Sequence, residues 1–408
     1  MKREIRTTML MPAYMQAFHC IGSECADHCC TMAWKITLDR DTFQTYRASQ
    51  DSELQPVFMH ALKRNRKAAS DADYGQIVPQ PGASDCPMMD GGLCKVHARL
   101  GAAALSDTCF TYPRTTTHFN GVLSQAAALS CPEAARLALS SADAMQWVEY
   151  EGVVRESACL PVYGQAAAAA QQLLQEVHHT CLRVLSAPEL ELWQALALLA
   201  ILCHELAPLQ VQHYPVERTA QVLEAFTAML ESGALNASLA AVQPDLDAQA
   251  ILLGHTLLNG RSLHRAGRHP RFADVLVRFS SALGETPAEV GKRYPEAALR
   301  WRAQVADAGL EYVLRNYVLN LAFREVFPVQ GKPGDKLAAL VSALVAVRGL
   351  CIGLAEEAGA VSLEDMQLAV QSFERVCQHD STFIGKLAAT FSRAGLHAMP
   401  RLWPLLRL

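Results

Sequence analysis

The sequence predicts a mainly α-helical protein in which an irregular, cysteine-rich N-terminal part packs on a C-terminal multi-helix domain. Three observations carry this. Eight of the thirteen cysteines lie within the first 131 residues. Alanine and leucine dominate beyond about residue 135, where apolar residues recur every three or four positions. No glycine-rich turn after a first strand opens a series of alternating strands and helices, so a Rossmann-type domain is not expected. The chain therefore divides into residues 1–135, a metal- or cluster-binding part, and residues 136–408, a helical part with two possible subdomains and a break near 284–295.

In chain order, Trp34 to Asp39 alternates as a strand does. Arg40 to Lys67 is helical in pattern and closes on the basic run Lys63 to Lys67, a solvated helix end. Ser70 to Asp85, with Pro79, Pro81 and Gly82, reads as a loop. Helices are then expected over Pro132–Trp147, Gln165–Leu185, Glu189–Leu206, Val216–Ser232, Asp247–Leu258, Glu296–Phe327 and Lys336–Ala358. Breaks are expected at Pro208 to Pro215, Gly284 to Pro295 and Pro328 to Asp335. The two most apolar stretches are Ala195 to Cys203 and Leu337 to Ala355. The first is too short to span a bilayer and Arg348 interrupts the second, so both are expected to be buried helices.

With 51% hydrophobic and 19% charged residues, a net charge of −4 and a pI near 6.4, the chain suits a soluble globular protein and has no polyanion-binding character. Neither a nucleic acid nor a membrane is expected as partner. The basic start Lys2 to Arg6 is followed by Pro12, Gln16 and His19, which leave no apolar signal core. A cytoplasmic, reducing location is expected, where thiols bind metal instead of forming disulfides.

The candidate metal ligands are Cys20, Cys25, Cys29, Cys30, Cys86, Cys94, Cys109 and Cys131. If Cys25 begins a helical turn, Cys29 faces the same way and Cys30 projects about 100° round the axis, toward a different partner. Cys86 and Cys94 enclose Gly91 and Gly92, a turn able to fold two sulfurs together, with His97 as a possible nitrogen ligand. Sulfur-dominated sites select zinc or iron–sulfur clusters. The spacing is a poor match to a zinc finger, and the adjacency of Cys29 and Cys30 departs from the radical-enzyme pattern. Cys159, Cys181, Cys203, Cys351 and Cys377 read as small buried hydrophobes.

Several of these segments carry a resemblance: Phe18 to Cys20, Cys25 to Cys30, Trp34 to Asp39, Leu105 to Arg114 and Leu129 to Leu137. With Glu311 to Phe323, they resemble the flagellin lysine-N-methylase family, FliB. The cysteine-rich part of that family is in turn similar to proteins described as zinc- or iron-chelating. The resemblance runs from about residue 10 to past residue 330. It implies a methyltransferase that moves methyl groups from S-adenosylmethionine to lysine side chains of flagellin, the protein of the bacterial flagellum, with a [4Fe–4S] cluster as iron–sulfur cofactor and zinc as the alternative metal.

Such chemistry needs a neutral lysine amine aligned behind the sulfonium methyl. Candidate catalytic groups are Tyr112 and Arg114, which follow Cys109, and Tyr312, Arg315 and Asn316 on the late helix. Arg114, whose planar fork suits a carboxylate, and Asn316 and Asn320 are the candidate cofactor-binding residues. Tyr312, Arg315, Asn316, Asn320 and Phe323 recur at helical spacing, and their polar face is read as solvated or as lining a pocket. His178 and His179 are read as surface residues, and Arg261 to Arg271 as a solvated basic loop. His204 with Glu205 lacks the second histidine of a zinc protease. The alternative function is a non-catalytic iron- or zinc-binding or redox-sensing module whose helical part binds a partner.

Overall fold

The computed structural model describes residues 4–31, 36–79, 83, 85–163, 167–258, 269–377 and 399–408. In the N-terminal part the elements are β1 (Glu4–Pro12), α1 (Tyr14–Ala17), β2 (Ile36–Leu38), α2 (Arg40–Arg47), α3 (Leu54–Ala61), β3 (Leu62–Arg64) and β4 (Gly75–Ile77). These are followed by β5 (Met89–Asp90), β6 (Leu93–Cys94), α4 (Lys95–Leu100), α5 (Asp107–Thr111), β7 (Arg114–Phe119), β8 (Val122–Ala127), α6 (Pro132–Ala138), β9 (Trp147–Arg155) and β10 (Cys159–Pro161).

Local chemistry sets several boundaries. Asp39 caps α2, its carboxylate accepting from the Thr42 backbone N–H at 2.9 Å. The helical pattern over Arg40 to Lys67 resolves into two short helices, and its basic end becomes β3, with Leu62 buried opposite Ile77. Of the strand expected over Trp34 to Asp39, Ile36–Leu38 forms one; Trp34 and Lys35 lie outside the described residues.

A mixed five-stranded sheet in the order β10-β7-β8-β1-β9 forms the layer beneath the helices. Asn120 and Gly121, both at positive φ (47° and 77°), make the two-residue turn that joins β7 to β8. β1 runs antiparallel to β9 from Glu4 opposite Arg155 to Pro12 opposite Trp147. The helix expected over Pro132–Trp147 accordingly stops at Ala138, because the chain from Trp147 onward is the partner of β1. Pairing across more than 140 residues of sequence overrides the local helical signal here.

Beyond the sheet the chain is helical: α7 (Ala168–Ser186), α8 (Leu192–Val211), α9 (Val216–Ser232), α10 (Asn236–Ala241), α11 (Leu246–Leu257), α12 (Pro270–Leu283), α13 (Pro287–Ala308), α14 (Tyr312–Arg324), α15 (Pro333–Ala358), α16 (Leu363–Cys377) and α17 (Met399–Leu406). α9 has the predicted bounds. The expected helix Glu296–Phe327 is two helices, α13 and α14, separated at Gly309, a left-handed C-cap with φ 64°. α13 also begins earlier than predicted, inside the expected break, because Thr286 and Glu289 form a reciprocal capping box and Pro287 suits the first helical position. α8 likewise continues through Pro208.

The helix at the centre of this layer is α15, which packs against α8, α11, α12, α13, α14 and α16. Gly349 and Gly353 permit the closest of these approaches. A Cβ at either position would come within 2.2 Å of Leu253 or 2.6 Å of Phe279. α8 and α15 are long and apolar enough to cross a membrane, but 61% and 89% of their most apolar windows are buried inside the protein. Arg348, the charge within α15, is buried too, donating to the Leu405 and Leu406 carbonyls and to Gln249 Oε1.

Two hydrophobic cores result. The larger joins one face of the sheet to the helices. The smaller is confined to residues 36–105, built on Leu38, Leu54, Phe58, Ile77, Met88 and Val96, and Cys30, Cys94 and Cys109 pack against it. The sheet and the helices thus share one core, and the lobe between β1 and β7 has its own.

His178 is buried in the larger core, contrary to the surface position expected, and its neighbour His179 is half-buried beside Trp147. Its Nδ1 lies 2.7 Å from the Phe327 carbonyl, which can only accept, so Nδ1 carries the proton. Burial pushes its pKa down to about 4 from 6.5. The unfolded chain therefore binds a proton that the folded one resists. Stability from this group is intact above pH 6.5 and is lost as the pH falls toward 4, by about 3 kcal/mol. Unfolding measured across pH 7 to 4 should show this acid limb, and His178→Gln should flatten it; an unchanged limb would assign the acid sensitivity to other groups.

Candidate thiol-rich metal centre

Three separate pieces of chain bring thiols together. The first is the turn from Cys25 to Thr31, where a short 3-10 turn (Gly22–Glu24) ends at Cys25 in an extended conformation. Cys25 and Cys29 therefore do not share a helical face, and Cys30 does not face away: its sulfur lies at hydrogen-bonding distance from those of Cys29, Cys86 and Cys94. The second piece is the hairpin of β5 and β6. Gly91 and Gly92, at φ 55° and 79°, supply the two left-handed residues of its turn, and the pairing of Met89 with Cys94 brings Cys94 back toward Cys86. The Cys86 N–H donates to the Cys30 carbonyl at 2.8 Å, tying hairpin to loop. The third piece is α5, where Ser106 Oγ caps the helix by accepting from the Cys109 N–H at 3.2 Å.

The electrostatics follow from this packing. Cys30 holds its proton most tightly because it hydrogen-bonds three neighbouring sulfurs. Cys29, Cys86 and Cys94 are pulled below the ordinary thiol range, each first by its hydrogen bond with Cys30. Arg375 adds to the effect at Cys29, and the Val96 and His97 N–H groups at the start of α4 add to it at Cys94. The His97 ring itself is exposed. Cys109 is pushed up to about 12 by burial and senses the charges of Cys86, Cys94 and Cys29.

Cys20, Cys25 and Cys131 form a second grouping. Cys131 lies at the start of α6, where the Ala134 and Glu133 N–H groups donate to it, but burial dominates and pushes it up to about 12, with Cys25 and Cys20 as neighbours. Arg114 faces this second group. Its guanidinium stands 4.9 Å from the Phe18 ring centre, feels Cys20 and Cys131, and has no carboxylate partner among the described residues.

The twelve cysteines whose side chains are described are free thiols. Among them Cys30 hydrogen-bonds with Cys29, Cys86 and Cys94. No group of three or more His, Cys, Asp or Glu side chains among the described residues has the geometry of a metal site.

The late helix differs from expectation. Of the polar residues of α14, Asn316 and Asn320 are buried and face no solvent, while Tyr312 and Arg315 are half-buried. Asn316 donates to the Ala138 and Ser141 carbonyls at 3.0 and 2.8 Å, and Asn320 donates to the Ala127 carbonyl while accepting from Tyr14 Oη at 2.8 Å. Arg315 donates to the carbonyls of Leu185, Ala187 and Leu190, and Tyr312 to that of Ser140. These side chains dock α14 onto the sheet and its neighbours. The Tyr112 hydroxyl lies 3.1 Å from Ser130 Oγ, and burial raises its pKa. Tyr112 thus stays protonated at neutral pH, a neutral hydroxyl that can donate or accept a hydrogen bond.

Other polar residues at the thiols were not legible as functional. From α16, Arg375 reaches the loop, donating to the His28 and Thr31 carbonyls at 2.9 and 2.8 Å, with Asp27 at 3.5 Å. Gln371, one turn earlier, donates to Asp27 Oδ2 at 2.9 Å and to the Ser130 carbonyl at 3.0 Å. The available signal was a pair of long polar side chains four residues apart on an otherwise apolar helix face. A cavity of about 250 Å³ lies here, lined among others by Asp27, His28, Asp85, Arg271 and Arg375. A larger cleft of about 440 Å³ between α8 and α9 is lined by none of the cysteines. Of the basic stretch, residues 261–268 lie outside the described residues, and Arg271 lies on α12 at this cavity.

Residues 178–405 match the model of the FliB lysine N-methylase C-terminal domain. The lysine-N-methylase of Salmonella typhimurium (strain LT2) is 26% identical over 381 residues, 92% of each chain. That of Salmonella choleraesuis (strain SC-B67) has the same identity and coverage. The flagellar biosynthetic protein FliU of Salmonella muenchen is 35% identical over 151 residues, 37% of this chain and 88% of that one. No solved structure matches.

Replacing Arg375 by Met removes the donor that meets the Thr31 carbonyl and one of the three that meet the His28 carbonyl. Arg375→Met is expected to lower the melting temperature and to speed the reaction of Cys29 and Cys30 with a thiol reagent. Unaltered labelling rates would show that the loop is held by other contacts.

Proposed function

The chain belongs to the FliB lysine N-methylase family, and on that premise we propose that it transfers methyl groups from S-adenosylmethionine to lysine side chains of flagellin in the cytoplasm. We further propose that its N-terminal cysteines hold an iron–sulfur cluster of the [4Fe–4S] type. One observation supports joining the two. α16 lies within the stretch that matches the family, and its Gln371 and Arg375 grip the loop that carries Cys29 and Cys30. Thiols and family domain act as one unit.

The donor chemistry fits the cluster. Cys29, Cys30, Cys86 and Cys94 offer four sulfurs already in contact, a set suited to iron–sulfur clusters and also to zinc. They would hold the group, with Cys109 behind them. Bound there, a cluster would supply a rigid, charge-bearing cross-link between the loop and the hairpin. Arg114 would balance negative charge on the side of Cys20 and Cys131. Methyl transfer itself asks the protein to strip water from the lysine amine, keep it neutral and align it with the sulfonium carbon. Tyr112 would contribute a hydrogen bond to that work, since its proton is held tightly.

The test is methylation of purified flagellin by anaerobically purified protein with methyl-labelled donor, read by mass spectrometry of lysine peptides, alongside iron, zinc and sulfide analysis. Label on lysines and about four iron and four sulfide per chain are expected. Cys30→Ser, which removes the sulfur at the centre of the group, is expected to lose most of both. Zinc without sulfide would replace the cluster by a thiolate zinc site. Metal without methyl transfer would leave a non-catalytic module.

A further inference from the structure

The cavity behind the thiol loop has walls of both charges. Asp27 and Asp85 stand on the side of the cysteine lobe, and Arg271 and Arg375 come from α12 and α16. Beside the Arg375–Asp27 ion pair at 3.5 Å, the amide of Gln371 also joins the two sides. Gln371 Oε1 accepts from Arg271 Nε at 2.9 Å while its Nε2 donates to Asp27 Oδ2 at 2.9 Å. Gln371 thus stands between Arg271 and Asp27 as a spacer. The bond at Nε also fixes the plane of the Arg271 guanidinium, whose two terminal nitrogens have no partner among the described residues. A planar fork of this kind matches a carboxylate.

We propose that this cavity binds the α-amino-acid end of the methyl donor, with Arg271 taking the carboxylate and Asp27 and Asp85 facing the ammonium. The inference rests on the reading of the chain as an S-adenosylmethionine-dependent methyltransferase. A lysine ammonium would meet two guanidiniums here, and a simple anion two carboxylates. An amino acid carries both charges on one carbon, and a charge pair separated by one amide answers both. The cavity lies below the usual size of a whole-ligand pocket, which suits the amino-acid half alone. Its wall includes Ala26, Asp27, His28 and Thr31, the residues on either side of Cys29 and Cys30, which places the donor next to the turn that carries these two thiols.

The experiment is calorimetric binding of S-adenosylhomocysteine, the unreactive product, and of its decarboxylated analogue, to the metal-loaded full chain. The native protein is expected to prefer the carboxylate form by about 10- to 100-fold. Arg271→Gln should lose that preference while binding the decarboxylated ligand as the native protein does, and Arg271→Lys should recover part of it. Melting temperatures confirm that the variants fold. Equal affinity of the native protein for both ligands, or an Arg271→Gln protein that keeps the preference, overturns the assignment while leaving the methyltransferase reading standing. If the native protein binds neither ligand, both fall together.

Discussion

The position of the thiols depends on the buried guanidinium of Arg375. The segment from Asp27 to Thr31 has no regular secondary structure, so its backbone groups need partners from elsewhere. Arg375 meets the His28 and Thr31 carbonyls from a distant helix, and the partial charge of those carbonyls together with Asp27 matches the cation. A buried arginine removed from such a setting leaves uncompensated groups on both sides. Because α16 is anchored against α12 and α15, the loop inherits its place from the helical core.

A second buried guanidinium fastens the far side of the same lobe. Arg155, at the end of β9, donates to the carbonyls of Leu105, Ala102 and Ala103 and lies 3.7 Å from the Phe110 ring centre. Between these two fixings the lobe has only a small core, to which Cys86 belongs and against which Cys30, Cys94 and Cys109 pack. A core of that size supplies little stability by itself. A sulfur-bound metal or cluster linking Cys29, Cys30, Cys86 and Cys94 would add a covalent-strength tie where hydrophobic burial is thinnest. On this view the cysteines are as much part of the lobe's folding as of its chemistry.

Val216–Ser232 was legible because its period and its glycine stop, Gly233, lie within a few residues, whereas Pro270–Leu283 and Leu363–Cys377 were not among the helices expected. The sheet was not legible. β1 and β9 depend on one another across more than 140 residues, and no window of sequence contains both. Asn120 with Gly121 is a local signal for the β7–β8 turn alone and says nothing of the pairing of β1 with β9. At the site, the turn of Gly91 and Gly92 was readable because chain geometry alone folds it. The joining of Cys29 and Cys30 into one group was not, since it needs an extended backbone at Cys25 where helical spacing suggested a turn. Gln371, Arg375 and Arg271 reach the site from helices far along the chain, so nothing near the cysteines announces them.

The segment from Glu311 to Phe323 shows how a recognisable stretch can mislead. Its asparagines and arginine look like functional polar groups because they interrupt an apolar helix. Each of them ends on a backbone carbonyl of an adjoining loop, strand or helix end, where an unpaired amide or guanidinium would be costly. Sequence specificity at that seam follows from docking geometry: Asn316 and Asn320 fit only if α14 meets the chain at Ala127, Ala138 and Ser141 in one register. The hydrogen bonds of Asn316 and Asn320 serve that docking. The charged groups around Gln371 differ in facing a cavity, with Arg271 on one wall and Asp27 on the other.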